Sequence, residues 1–309
     1  MGELSKKNGA KLENFGEVLF QNLGWELLVQ DFEINCINKN HKNKKNKDKK
    51  THGIDLLFKY KNPFNNRFEA IIIECKNRQW KEYTPANLNL WVDELLNTFE
   101  CSCVSTELSS YLQNCTLINA VLLFNSSDNE YTEERAIQNR TQINIPKRKI
   151  PTMLYVADTF MLEKWYALNK CITEIKKENI TEFKFIYPSI NESEWTREDV
   201  IIPSFLFSDY IFSSHLQEVN LIPNQTNRME YKNIFCFDKV SNDAVKYLKS
   251  MINELQLATH MLNYKFNIYW YPEDCNDVEF IKNLNNSKDM TYEYIPMDNR
   301  RISRVEYGN

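Results

Sequence analysis

Two acidic residues and one lysine stand out in this sequence for their placement. Glu74 and Lys76 close the run FEAIIIECK at 68–76, and Asp55 lies upstream in GIDLLFKY at 53–60. In an extended strand, residues i and i+2 point to the same face, so Glu74 and Lys76 share one face and Cys75 takes the other. The turn-forming KNPFNNR between the two runs predicts a hairpin that brings Asp55 beside them. Two carboxylates are hard oxygen ligands suited to Mg2+, with Mn2+ as a substitute, and the backbone carbonyl of Cys75 adds a third hard oxygen. Such a metal polarises a phosphodiester and lowers the pKa of a bound water. The lysine orients that water or stabilises charge on the phosphate. The plain alternative is a solvated Glu–Lys ion pair at a strand end. Against it stand the three consecutive Ile residues just before the pair, because charge beside a buried run needs partners or a purpose.

The elements around these residues can be read from periodicity. Residues 13–23, ENFGEVLFQNL, predict a helix with Phe15, Val18, Leu19 and Leu23 as its apolar stripe, Asn14 as N-cap and Gly24 as its stop. A strand follows in WELLVQDFEINCI. Then NKNHKNKKNKDKKTH, 38–52, contains no apolar residue and reads as a solvated loop or arm. Beyond the hairpin come a helix over 85–99, a strand at 116–124, a charged helix at 129–140, a strand at 152–158, a helix at 159–178 and a strand at 182–188. After about residue 190 the rhythm weakens through 191–229. A second run then alternates strand and helix: NIFCFD, 241–259, FNIYWYP, 274–285 and MTYEYIP. Such alternation implies crossover units and a partly parallel sheet. The expected division is a first domain over 1–190 and a smaller C-terminal α/β region over 191–309.

The order helix, strand, strand, strand with an Asp and then an E-x-K resembles the PD-(D/E)XK nuclease superfamily, in its restriction-endonuclease-like, Mrr-type form. The matching stretches are FGEVLFQNLGW, Gly53-Ile54-Asp55 and IIIECK, and the resemblance spans about residues 10–160. It implies an α/β fold with an αβββαβ core and a mixed central sheet. It implies an Mg2+-dependent nuclease acting on phosphodiester bonds in DNA, with Asp55, Glu74 and Lys76 catalytic and Asp55, Glu74 and the Cys75 carbonyl holding the metal. Many members carry an acid on the first helix, where Glu17 stands here as a weaker third ligand. The proline of the family's name is replaced by Ile54. Nucleases of this type recur as effectors in restriction and anti-phage defence, often beside an ATPase or sensor subunit; a second copy of the chain is another candidate partner. The motif does not read sugar identity, so RNA is an alternative substrate. A non-catalytic interaction module retaining the nuclease core is an alternative of another class. The region after 190 is expected to select the target or dock a partner.

Composition narrows the partners. The formal charge is −4, yet residues 39–50 hold seven Lys against one Asp. A basic arm on an acidic body fits contact with a phosphate backbone through Lys44, Lys45 and Lys47, although a solubilising insertion is the commoner use of such a segment. Gln79 and Trp80 follow the motif and could hydrogen-bond or stack on nucleic acid; loop and core packing is their ordinary role. His52 reads as a loop histidine, Phe266, Tyr269, Trp270 and Tyr271 as sheet core, and Arg300, Arg301 and Arg304 as a solvated basic tail. No P-loop motif occurs, so energy coupling would come from another protein. The eight Cys form no C-x-x-C pair and the four His are far apart, which argues against a structural zinc site and against disulfides. Cys101 and Cys103 form only a C-x-C. Reduced thiols, no signal-peptide core and no long apolar run place the expected chain in the cytoplasm, without a membrane span.

Overall fold

The computed structural model describes residues 3–42, 47–128, 130–178, 180–188, 196–222, 225–239, 241–254, 257, 264–271 and 292–297. The chain forms two compact units. Of the described residues, the first holds those up to Asn62 together with Asn66–Glu163; the second holds Pro63–Asn65 and those from Lys164 to Met297.

In the first unit, α1 (Glu3–Asn22) leads into β1 (Glu26–Asn35), β2 (Thr51–Asn62), β3 (Arg67–Arg78), α2 (Pro85–Ser102) and β4 (Cys115–Ser126), followed by α3 (Glu133–Arg140) and β5 (Met153–Ala157). This is the expected αβββαβ order. The five strands lie side by side in sequence order. The β1–β2 and β2–β3 pairs are antiparallel, while β3–β4 and β4–β5 are parallel, which makes the sheet mixed. The two parallel pairs are each joined by a crossover helix, as a parallel connection requires.

The sheet is apolar on both faces. Leu56, Leu57 and Phe58 of β2 and Ala70–Ile73 of β3 are fully buried. Helix α1 packs Leu12, Phe15, Leu19, Phe20 and Leu23 inward. Gly16 permits close approach, since a Cβ there would stand 3.1 Å from Leu56 Cδ1. The helix ends where Gly24 adopts φ 93°. Gly24 N–H donates to Gln21 O at 3.0 Å and Trp25 N–H to Phe20 O at 2.9 Å, so the orphan carbonyls are satisfied. The Trp25 and Phe20 rings stack at 4.5 Å across that cap. Two sequence expectations for α1 are corrected. Asn14 lies inside the helix, because the polar turns from Glu3 continue it upstream without an apolar periodicity to betray them. Val18 is 56% exposed, and Leu12 and Phe20 complete the buried stripe instead.

On the other face, α2 starts at Thr84, whose hydroxyl accepts from Asn87 N–H, with Pro85 in the first turn. It buries Leu88, Trp91, Leu95 and Phe99 in a core shared with Ile72, Leu122 and Phe124.

The second unit carries α4 (Thr159–Lys177, shared across the boundary), β6 (Ile180–Tyr187), β7 (Thr196–Glu198), α5 (Pro203–Leu206), β8 (Tyr210–Ile222), β9 (Gln225–Cys236), α6 (Asn242–Glu254), β10 (Tyr264–Trp270) and β11 (Tyr292–Pro296). Its sheet runs in the order β11-β10-β9-β8-β6-β7. The stretch 191–229, where the rhythm weakens, holds β8 and the start of β9, which pair antiparallel. The strands β9, β10 and β11 are parallel, as alternation predicts. Phe266, Tyr269, Trp270 and Tyr271 are buried, in keeping with a role in the sheet core. The helix expected at 274–285 and the arginines 300, 301 and 304 lie outside the described residues.

Candidate active site

Strands β2 and β3 are paired from Asn62↔Arg67 to Leu56↔Ile73. Beyond that point β2 pairs with β1 as far as Thr51, and β3 with β4 as far as Arg78. The two strands therefore part just where Asp55 and Glu74 begin. Into this gap Asp55 turns its carboxylate, and Oδ2 accepts from Cys75 N–H at 2.6 Å. In an antiparallel ladder a residue's N–H and C=O face the same neighbour. The Cys75 carbonyl thus faces the same gap, while its side chain is buried with Ile71 and Ile73 on the far face. Lys76 Nζ donates to Glu74 Oε1, and each side chain is only 13% exposed.

Burial shapes the electrostatics. Desolvation, with the Asp55 charge behind it, pushes the Glu74 carboxyl up to about 7. Desolvation also raises Asp55, against the opposing pull of the Cys75 N–H and the Lys76 ammonium. Burial alone would lower Lys76, but Glu74, Asp55 and Glu94 together outweigh it and hold the amine above its ordinary value. Lys76 is therefore a persistent ammonium, a donor and not a base. Desolvation carries the Cys75 thiol well above its usual range, so it is no nucleophile.

Three further acids act on this group, and none had a motif to announce it. Glu13 on α1 is raised by desolvation and by Asp31 and Glu74. Asp31, on β1, has φ 46°, in the left-handed region that a non-glycine residue adopts at a cost. Glu94 reaches Glu74 and Lys76 from α2. Glu17 stands one turn beyond Glu13, half-buried, and is not among the charges acting on Asp55 or Glu74. A helical-wheel check at i−4 from Glu17 would have pointed to Glu13.

The donor set suits a hard divalent cation. Two buried carboxylates and a backbone carbonyl face one gap, all oxygen. Desolvation first, and then neighbouring acids (Glu13 and Asp31 on Asp55, Asp55 on Glu74), raise the two carboxyls, which is the condition a dication relieves.

Other candidate residues fall elsewhere. Lys44 and Lys45 lie outside the described residues. Lys47 is exposed, and Gln79 is exposed just ahead of a short 3-10 turn, Trp80–Glu82. Trp80 is buried against Tyr83, Phe124 and Tyr131, which is the core-packing role. His52 is fully buried, a correction to its reading as a loop residue. Its strand starts at Thr51, before the apolar run begins, and its ring turns inward toward α2.

Among the described residues, no helix is long and apolar enough to cross a membrane. No curated protein matches the chain. The family model described as the GAPS4 protein PD-(D/E)XK nuclease domain matches residues 1–160, a stretch that contains α1, the parted β2–β3 pair, α2 and both parallel strands beyond it. With the gap between β2 and β3 carrying the acid, acid and lysine in the family's order, the chain belongs to the GAPS4 PD-(D/E)XK nuclease domain family.

Proposed function

We propose that the chain is a divalent-metal-dependent endonuclease that hydrolyses phosphodiester bonds in DNA, as an effector of an anti-phage defence system. The family match supports the nuclease class, and GAPS4 proteins are components of such a system. The observation that carries the reading is the meeting of Asp55, Glu74 and Lys76 at the mouth of the β2–β3 gap. Asp55, Glu74 and the Cys75 carbonyl would hold Mg2+, with Mn2+ as a substitute, and Glu13 or Glu17 would add a weaker oxygen. The ion, when bound, supplies Lewis-acid polarisation of the phosphate and a more acidic water.

The chain's own groups do the rest. Lys76 keeps its proton and donates, either to the attacking water or to a phosphate oxygen on which charge develops. Asp55 is held in one rotamer by the Cys75 N–H, so the carboxylate is oriented before substrate arrives. Lys47 and its neighbours on the arm, with Gln79 at the rim, would contact the backbone of the nucleic acid. An unrestrained nuclease would damage its host, so activity is gated by a partner, a sensor or ATPase subunit, through the residues after 190.

The test is cleavage of plasmid DNA and of RNA with Mg2+ by wild type and Lys76→Ala. Loss of DNA cleavage in the variant alone supports the reading. Equal activity in both refutes the assignment, and cleavage of RNA alone replaces the substrate. Full unspecific cleavage by the isolated chain counts against gating.

A further inference from the structure

A second cluster of ligating side chains lies in the first unit, three residues along β2 from Asp55. Cys36 follows the end of β1, His41 sits in the connection to β2, His52 is on β2, and Cys101 is in the last turn of α2. Their four ligand atoms all lie within 4.8 Å of one another. Cys36 Sγ and Cys101 Sγ are 4.0 Å apart, and each is 3.5 Å from His41 Nδ1. His41 Nδ1 is 3.3 Å from His52 Nε2.

These spacings can be compared with a metal's requirement. Zinc takes bonds of about 2.3 Å to sulfur and about 2.05 Å to nitrogen in a tetrahedron. That geometry demands about 3.8 Å between two sulfurs, about 3.55 Å from sulfur to nitrogen and about 3.35 Å between two nitrogens. The observed 4.0, 3.5 and 3.3 Å follow the same order within about 0.2 Å. A disulfide is a poor alternative, because its sulfurs stand about 2.05 Å apart.

The outer contacts set the tautomers. Thr98 Oγ1 gives its one proton to Glu94 O at 3.0 Å, so at 3.3 Å it accepts from His52 Nδ1–H. His41 Nε2 lies 3.2 Å from the Glu100 carboxylate, an acceptor only. The Asn38 amide nitrogen also approaches that atom, at 3.1 Å, but the opposite tautomer would turn a lone pair on the carboxylate. Both histidines therefore aim bare lone pairs, on Nδ1 of His41 and Nε2 of His52, at each other across 3.3 Å. The two cysteine sulfurs stand 3.5 Å from that Nδ1, so two nitrogen lone pairs and two sulfurs converge on one point, and one cation would satisfy all four. Histidine donating its outer N–H to a carboxylate or hydroxyl is the usual support of a metal ligand.

We propose that Cys36, His41, His52 and Cys101 form a structural zinc site that fixes the base of the lysine-rich arm to the C-terminal turn of α2. Two thiolates balance the charge of Zn2+, so the filled site is neutral, as its burial requires. Binding turns two thiols into thiolates and releases their protons to solvent. Nitrogen and thiolate donors select zinc over the hard ions that suit Asp55 and Glu74. The arm is already tied at its root by Cys36 N–H to Lys50 O and Lys49 N–H to His41 O. The site would hold this ribbon in place and present its lysines. A cavity of about 700 Å³, lined in part by His41, Glu100, Cys101 and Arg148, gives the ion a path in. The proposal departs from the expectation of no zinc site, and it separates Cys101 from Cys103, which is not in the group.

The test uses the full chain, purified under reducing conditions without chelator. Elemental analysis is expected to find one zinc per chain, and X-ray absorption two sulfur and two nitrogen neighbours. Cobalt in place of zinc should give the intense visible bands of tetrahedral thiolate ligation. Cys36→Ser and Cys101→Ser should lose the metal, and Cys103→Ser should retain it. If the first two variants fail to fold, the wild-type absorption data decide alone. Folded wild type that takes up no zinc, zinc held by oxygen and nitrogen only, or a Cys36–Cys101 pair that resists alkylation until reduced would each overturn the site. These readouts are independent of DNA cleavage, so failure of the nuclease reading leaves them intact.

Discussion

The first unit holds two clusters of ligating side chains on the same strand, and they are opposite in chemistry. Around Asp55 the donors are all oxygen, the carboxylates are raised by desolvation and by neighbouring acids, and Asp31 sits in a strained backbone conformation. Around His52 the donors are nitrogen and sulfur, and outer partners fix each ring. The first arrangement is uncomfortable without a ligand, as a site that must bind and release charge tends to be. The second is tight and buried, as a site that holds the fold tends to be. Charge that costs stability marks function, and ligands that lock elements together mark structure.

Substitutions should split the two clusters. The largest effect is on catalysis. Asp55→Ala, Glu74→Ala and Lys76→Ala should each lower plasmid cleavage by at least about 10²-fold, the scale of losing one group that stabilises transition-state charge. Circular dichroism should show the fold retained. A variant that cleaves normally breaks the contrast on the active-site side.

Next comes stability. Removal of zinc by a strong chelator, or Cys101→Ser, should lower the melting temperature of the first unit by several degrees, since each kcal/mol moves a unit of this size by about 2–4 °C. Calorimetry that finds no shift would strip the Cys–His group of its structural part.

A smaller effect of opposite sign is expected from Glu74→Gln in protein free of Mg2+. The Glu74 carboxyl is held at about 7 in the fold against 4.5 as its ordinary value. The folded state therefore keeps its proton over that window while the unfolded state has lost it. Stability falls as pH rises from about 4.5 to 7, and stays low above. The neutral amide should raise stability at pH 8 by on the order of 1 kcal/mol and flatten the pH dependence. Denaturant titration at pH 5 and pH 8 measures both. A destabilised variant would show that Glu74 serves the fold after all.

The smallest effect concerns the arm. Lys47→Ala should weaken DNA binding only a few-fold and reduce the slope of log affinity against log salt by about 0.9, the value for one phosphate contact. An unchanged slope would leave the arm as a solubilising insertion.

The parts of this protein that were legible in advance share one property: their signal is local. Three Ile in a row, a turn rich in Asn and Pro, and E-x-K at strand spacing specify β2 and β3 within about two dozen residues, because strand alternation and turn chemistry act between near neighbours. The αβββαβ order followed from the same kind of pattern. Where polar residues filled an element, it went unread. The first turns of α1 read ELSKKNGA, and β9 opens on the polar run QTNR.

The sequence by itself determined which strand carries each acid and the lysine, and which stretch is the basic arm. Only the tertiary structure decided that β2 and β3 part at Asp55 and that Glu13, Asp31 and Glu94 crowd the gap. It alone brought Cys36, His41 and His52 to Cys101, nearly fifty residues beyond the last of them. Those convergences depend on how a helix packs across a sheet, and packing joins side chains by distance in space, on which spacing along the chain carries no record.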